Sequence, residues 1–212
     1  RDLFWQPADG SRREEPVFTR PGSQWEITFT PDQRWIVYRE GDASRGDTLK
    51  LRYRPLLPGA DSADRSFPHL RGTDPRSPTL SPDGHLLAFV ADEGGPPQVF
   101  VRPFPPDNAG AVWQVTTDGG IEPRWASGGR EIYYRLGGAF WAASVDTRPT
   151  FHVTSRHRLF AAPGLFSLPW HPQYGVLPDG GIVGTRSATV GSSARMILVQ
   201  NWPALLTLAP RD

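Results

Sequence analysis

The chain has 212 residues, 23 lysines and arginines against 22 aspartates and glutamates, a net charge of +1 and no cysteine. Evenly mixed charge argues against a nucleic-acid module, whose footprint is a basic stripe, and the lack of cysteine removes disulfides and thiolate zinc sites. No apolar run approaches the ~20 residues of a membrane-spanning helix.

In chain order, Leu3-Phe4-Trp5-Gln6 and Pro16-Val17-Phe18-Thr19 read as a pair of short strands. A phrase then recurs four times: Thr30-Pro31-Asp32-Gln33-Arg34, Ser81-Pro82-Asp83-Gly84-His85, Ala126-Ser127-Gly128-Gly129-Arg130 and Leu177-Pro178-Asp179-Gly180-Gly181. The Pro positions, with Ser127 in the third copy, stand 51, 45 and 51 residues apart (82−31, 127−82, 178−127). Turn chemistry explains the phrase: Pro fixes φ, Asp bonds nearby backbone and Gly tolerates positive φ.

Each phrase is preceded by an alternating stretch. Two places before the Pro position stand Phe29, Leu80, Trp125 and Val176, and four places before it Ile27, Pro78, Pro123 and Tyr174. Between and before them come Glu26, Ser77, Glu122 and Gln173, then Thr28, Thr79, Arg124 and Gly175. Period-two alternation puts the two sets on opposite faces of a strand. Each phrase is followed by a β-rich run: Trp35-Ile36-Val37-Tyr38, Leu86-Leu87-Ala88-Phe89-Val90, Ile132-Tyr133-Tyr134 and Ile182-Val183. Third strands follow at Leu49–Tyr53, Gln98–Arg102 and Ala139–Ala143, and outer strands at Val112–Thr116 and His157–Phe160. Gly- and Pro-rich segments such as Glu93-Gly94-Gly95-Pro96-Pro97 separate them. Met196–Val199 reads as one more strand and Pro203–Leu206 as a helical stub.

Short strands repeating every ~40–50 residues are the signature of propeller blades. The expected fold is all-β: four-stranded antiparallel blades in one domain, with a half-blade at 1–20 and blades at 24–72, 73–118, 119–165 and 170–206. Half-blades at the two ends could pair to close a small ring, but the start at Arg1 rather than Met favours the alternative expectation, a longer polypeptide with blades upstream.

The run Ser81–Val90 with Gln98-Val99-Phe100-Val101-Arg102-Pro103-Phe104 resembles the TolB-like repeat, a WD40-like blade, as does Glu122-Pro123-Arg124-Trp125 with Arg130–Arg135. Together with Ile197-Leu198-Val199-Gln200-Asn201-Trp202, these runs are similar to the propeller found C-terminal to bacterial Ser/Thr kinase domains. The resemblance implies a complete ring of six to eight blades, more than this chain supplies, and a sensor or interaction role. The third copy lacks the Pro-Asp pair and the first lacks the Gly, so no function is placed on the turn itself.

Catalytic constellations are not apparent. Gly191-Ser192-Ser193-Ala194 does not match the Gly-x-Ser-x-Gly elbow, and no kinase signature is present. His152 and His157, five apart on one strand, are expected on opposite faces and so unable to share a metal. The single Asp of each turn (Asp32, Asp83, Asp179) supplies too few oxygens for calcium. No cofactor or metal is expected.

The remaining candidate site is the mouth of the channel, where the first strand of each blade would bring Glu26, Ser77, Glu122 and Gln173 together with Arg76, Arg124 and His171. Carboxylates, guanidinium groups and imidazole in one ring suit a peptide terminus or small polar ligand. The expected role is a non-catalytic platform for a protein or peptide partner. The rivals are the gating propeller of a prolyl-oligopeptidase-type serine peptidase and a free-standing TolB-like periplasmic scaffold. Of the eight tryptophans, Trp25, Trp35, Trp113, Trp125 and Trp141 are expected between blades, and Trp5, Trp170 and Trp202 outside them.

Overall fold

The computed structural model describes residues 2–41, 48–56, 63–68, 70–106, 110–165, 167 and 171–185. These form strands without helices. A hairpin of β1 (Leu3–Trp5) and β2 (Glu15–Phe18) precedes three four-stranded antiparallel sheets. The first holds β3 (Gln24–Phe29), β4 (Trp35–Glu40), β5 (Lys50–Pro55) and β6 (Arg65–Ser66). The second holds β7 (Thr73–Leu80), β8 (Leu86–Asp92), β9 (Gln98–Pro103) and β10 (Trp113–Gln114). The third holds β11 (Ile121–Trp125), β12 (Glu131–Leu136), β13 (Ala139–Asp146) and β14 (His152–Ala161). A last hairpin pairs β15 (Tyr174–Val176) with β16 (Ile182–Gly184). Strands within each sheet follow chain order, as in propeller blades. Met196–Val199 and Pro203–Leu206 lie outside the described residues.

The recurring phrase builds one backbone turn in all four copies. Gln33, Gly84, Gly129 and Gly180 donate their N–H groups to the carbonyls of Thr30, Ser81, Ala126 and Leu177, at 2.8–2.9 Å. Each of the four donors has positive φ, from +56° to +87°. The third copy makes this turn without Pro or Asp, because Gly129 supplies the left-handed residue that closes it. Where Asp is present it braces the turn: Asp83 Oδ1 accepts from the Ser81 hydroxyl at 2.6 Å and from the His85 N–H at 3.1 Å.

Successive blades are sealed by apolar residues from neighbouring sheets. Leu80, Leu87, Phe89 and Phe100 pack on Val37, Leu51 and Tyr53 of the blade before. Trp125, Ile132 and Tyr134 pack likewise on Val90, Val99 and Val101, and Val176 and Ile182 on Tyr133 and Ala142. The residue two places before each turn thus presses on the preceding blade. In the first blade the equivalent residue, Phe29, is 42% exposed.

Two outer strands differ from expectation. The 112–116 run forms a strand only at Trp113–Gln114; beyond it the Val115 N–H still donates to the Val99 carbonyl at 2.7 Å, but the Val99 N–H goes to the Thr116 hydroxyl at 3.0 Å instead of to a backbone carbonyl. In the third blade the outer strand extends well past His157–Phe160 to ten residues. Among the tryptophans, Trp125 is buried, Trp35, Trp113 and Trp141 are partly buried against the inter-blade clusters, and Trp5 is exposed. Trp170 and Trp202 lie outside the described residues.

Candidate functional site: the inner-strand mouth

The alternation of the inner strands is interrupted at one repeated place. Register shifts occur between Trp25 and Thr28, between Arg76 and Thr79, and between Ile121 and Arg124. Inside each shift lies a non-glycine residue with left-handed backbone: Glu26 (φ 54°), Ser77 (φ 53°) and Glu122 (φ 56°). These are three of the four polar positions read from the repeat. Such a bulge re-aims a side chain, and all three side chains are buried. Gln173, the fourth, does not share the left-handed backbone and donates from Nε2 to the His171 carbonyl at 3.3 Å.

Polar bonds link these positions from blade to blade. Glu26 Oε2 accepts the Ser77 N–H at 3.0 Å, joining equivalent residues of the first two blades. Glu26 Oε1 lies 3.5 Å from Arg39 and 3.1 Å from His171 Nδ1, so the first inner strand meets the segment that leads into β15. Arg39 also donates to Asp74, and Arg76 binds Asp74 at 2.9 Å and Asp92 at 2.9 Å. Glu122 Oε1 accepts from the Ser167 hydroxyl at 2.6 Å, and the Tyr174 hydroxyl donates to the Glu122 carbonyl at 2.7 Å. Arg124 Nε reaches the Tyr174 carbonyl at 3.5 Å.

The electrostatics follow from burial. Removal from water pushes the Glu26 carboxyl up to about 7, against the opposing pull of Arg39 and the Ser77 N–H. Burial lowers the Arg124 guanidinium, opposed by Tyr174, Glu122 and Glu26, and raises the Tyr174 phenol. The mouth is therefore an arc of mostly desolvated donors and acceptors, fixed by bonds between blades. It can hold a polar ligand by matched hydrogen bonds.

Glu26, Arg76, Ser77 and His171 thus converge on one bonded cluster, with Glu122 and Arg124 on a second beside Tyr174. Reading the sequence missed Arg39, Asp74, Asp92, Ser167 and Tyr174. One signal was available: Arg39 and Arg135 both stand eight places after the Pro position (39−31, 135−127), directly after the runs Trp35–Tyr38 and Ile132–Tyr134, and both are buried. Asp74, left-handed at φ 51°, carried no such mark.

His152 and His157 do not lie on opposite faces of their strand, contrary to expectation. The strand is bulged at Thr154, and His152 pairs with Asp146 while His157 pairs with Ala142. Partners four apart place both histidines on the same face, yet about 13 Å apart along the strand. Among the described residues no cluster of three or more His, Cys, Asp or Glu could hold a metal. No helix among them is long and apolar enough to cross a membrane.

No protein-family model and no curated protein matches the sequence. Solved structures do. TolB from Acinetobacter baumannii superposes with a TM-score of 0.57 at 20% identity, over 86% of this chain and 42% of that one. The chain has a TolB-like β-propeller fold. An oligogalacturonate lyase solved with manganese gives 0.55 at 15% identity, over 84% of this chain and 48% of the lyase. A puromycin-hydrolyzing peptidase from Mycobacterium tuberculosis gives 0.54 at 19% identity, over 82% and 30%. The propeller chain spans less than half the length of each.

Proposed function

We propose that this propeller is a non-catalytic binding module, taking a protein or peptide partner at the mouth of its inner strands. In this reading it serves as a sensor or interaction domain of a larger bacterial signalling protein, attached to a Ser/Thr kinase. The observation that carries the proposal is the repeated left-handed backbone at Glu26, Ser77 and Glu122. Non-glycine residues in that region cost about 1–3 kcal/mol each and persist where the surroundings over-determine them. Here the result is a set of polar side chains aimed and locked before any ligand arrives, which lowers the ordering cost of binding. Among the described residues the Glu26 and Glu122 carboxylates are each engaged by donors from a neighbouring segment. The kinase association rests on the sequence likeness of the later blades.

A test is to capture partners with the native polypeptide carrying this chain and repeat the capture with Glu122→Gln and His171→Ala. Loss of a partner at unchanged unfolding midpoint supports the mouth as the binding face. Retention by both variants would move the contact elsewhere. The second reading, a propeller that gates a serine peptidase, is favoured by the superposition on the puromycin-hydrolyzing peptidase. Peptide hydrolysis by the native polypeptide, blocked by a serine-directed inhibitor, would select it over the first.

A further inference from the structure

The arginines at the mouth are unequally satisfied. Arg39 meets Glu26 and Asp74, and Arg76 meets Asp74 and Asp92. Arg124 has one long bond, from Nε to the Tyr174 carbonyl at 3.5 Å, and among the described residues no carboxylate lies within ion-pair distance of it. A guanidinium drawn out of water ordinarily has bonded acceptors, since desolvation without them is costly.

A second gap lies on the neighbouring strand. Ser77 is buried, and its hydroxyl has no hydrogen-bond partner among the described residues. It stands on β7, which packs directly beside β11, the strand of Arg124. At this repeated position the flanking blades carry Glu26 and Glu122, so the second blade has a hydroxyl where its neighbours have a carboxylate. The arc therefore has a hydroxyl in place of a carboxylate beside the strand of Arg124, which among the described residues has no ion-paired carboxylate. Glu26 and Glu122 are already engaged, by the Ser77 N–H, Arg39 and Ser167.

We propose that Arg124 receives a carboxylate from a ligand, with the Ser77 hydroxyl as a second donor, so that the mouth recognises a peptide through its C-terminal carboxylate. The inference rests on the binding-module reading above and specifies what that module grips. A guanidinium offers a planar fork matched to a carboxylate. The same chemistry would accept a small free carboxylate, and the experiment separates the two sources.

The Arg124 Nε–H resonance of the ¹⁵N-labelled chain, assigned by its loss in Arg124→Lys, is followed during titration with acetate, with Gly-Ala-Ala as the free acid, and with its C-terminal amide. A saturable shift with the free acid at lower concentration than with acetate, and none with the amide or with chloride at equal ionic strength, is the expected result. Equal response to acetate and tripeptide would retain the carboxylate site but overturn the peptide assignment. No saturable shift with either carboxylate, or an equal shift with the amide, would overturn the proposal. Ser77→Ala should weaken the free-acid titration, and Arg124→Gln, which lacks that resonance and is read by calorimetry, should bind the free acid roughly tenfold or more weakly than the parent, the usual worth of a charge-assisted bond. Arg124→Lys, which keeps the charge, controls for folding through its unfolding midpoint. If the proposal fails while partner capture survives in Arg124→Lys, the binding-module reading stands without it.

Discussion

Trp125 and Phe29 occupy the same place in the repeat, two residues before the turn, and meet opposite surroundings. Trp125 is 7% exposed and closes the junction between the second and third blades; Phe29 is 42% exposed on the open face of the first. Phe29 lies beside Phe4, Trp5, Val17, Ile27 and Leu56, around a groove of about 830 Å³. The sheet before the first blade is only the hairpin β1–β2, joined to β3 by a short link as outer strands are, with no inner pair among the described residues. The same chemistry in the same position is thus core or surface according to whether a preceding blade's central strands stand against it. Burial here belongs to the junction, not to the residue.

The largest effect is expected where the junction is closed. Trp125→Ala should destabilise the chain by about 3–5 kcal/mol, the usual cost of emptying a large aromatic site. Its unfolding midpoint in urea, compared with the parent, checks this. An unchanged midpoint would mean that the blades hold together without that ring.

The polar side of the first junction should respond to pH. Glu26 has a carboxyl raised from 4.5 to about 7 by burial. The folded state then holds a proton that the unfolded chain releases, so the group's contribution is full below about 4.5 and is lost as pH rises through about 7. Glu26→Gln removes this dependence and keeps an acceptor for the Ser77 N–H. The stability of the variant relative to the parent should rise by about 2–4 kcal/mol between those limits. A flat difference across that range would mean that Glu26 ionises normally and that Arg39 and His171 dominate its surroundings.

The turns at that junction stack more tightly than their sequence suggests. Gly84 has φ +75°, and a Cβ there would lie 3.0 Å from Pro31 Cδ of the preceding turn. Gly84→Ala therefore combines backbone strain with contact and should cost about 1–3 kcal/mol. Gly94, at φ +80° with nothing within 4 Å, isolates the strain alone. Equal losses in the two alanine variants, read from thermal midpoints, would show that the stacking of turns contributes nothing.

These comparisons also mark what was legible in the chain. Blades could be read because turn chemistry at Pro31, Pro82 and Pro178 and strand chemistry around it repeat at near-constant spacing. Even the third copy kept Gly129 where the turn closes. The polar set at the mouth could be named, since Glu26, Ser77 and Glu122 fall in register. Their left-handed backbone could not, because a bulge at a non-glycine residue is imposed by the ladder and leaves no compositional trace. Strict alternation accordingly failed within β3, β7 and β11. It failed again at Thr154, where one extra residue moved His157 to the face of His152. Asp74 was invisible for a related reason: its role depends on Arg39 and Arg76 arriving from two different blades.

The smallest predicted effect bears most directly on the contrast between the two faces. Phe29→Ser, on the exposed face of the first blade, should change stability by no more than about 0.5 kcal/mol, as surface substitutions do. Urea unfolding of these 212 residues and of the native polypeptide carrying them would read it twice. A negligible change in the first and a loss approaching that of Trp125→Ala in the second would mean that the groove is covered in the native polypeptide. Phe29 would then be a junction residue like Trp125, exposed only where its covering strands are absent. Negligible change in both would leave the face open to solvent, and the apolar side chains of Phe4, Trp5, Ile27 and Phe29 would form a true surface.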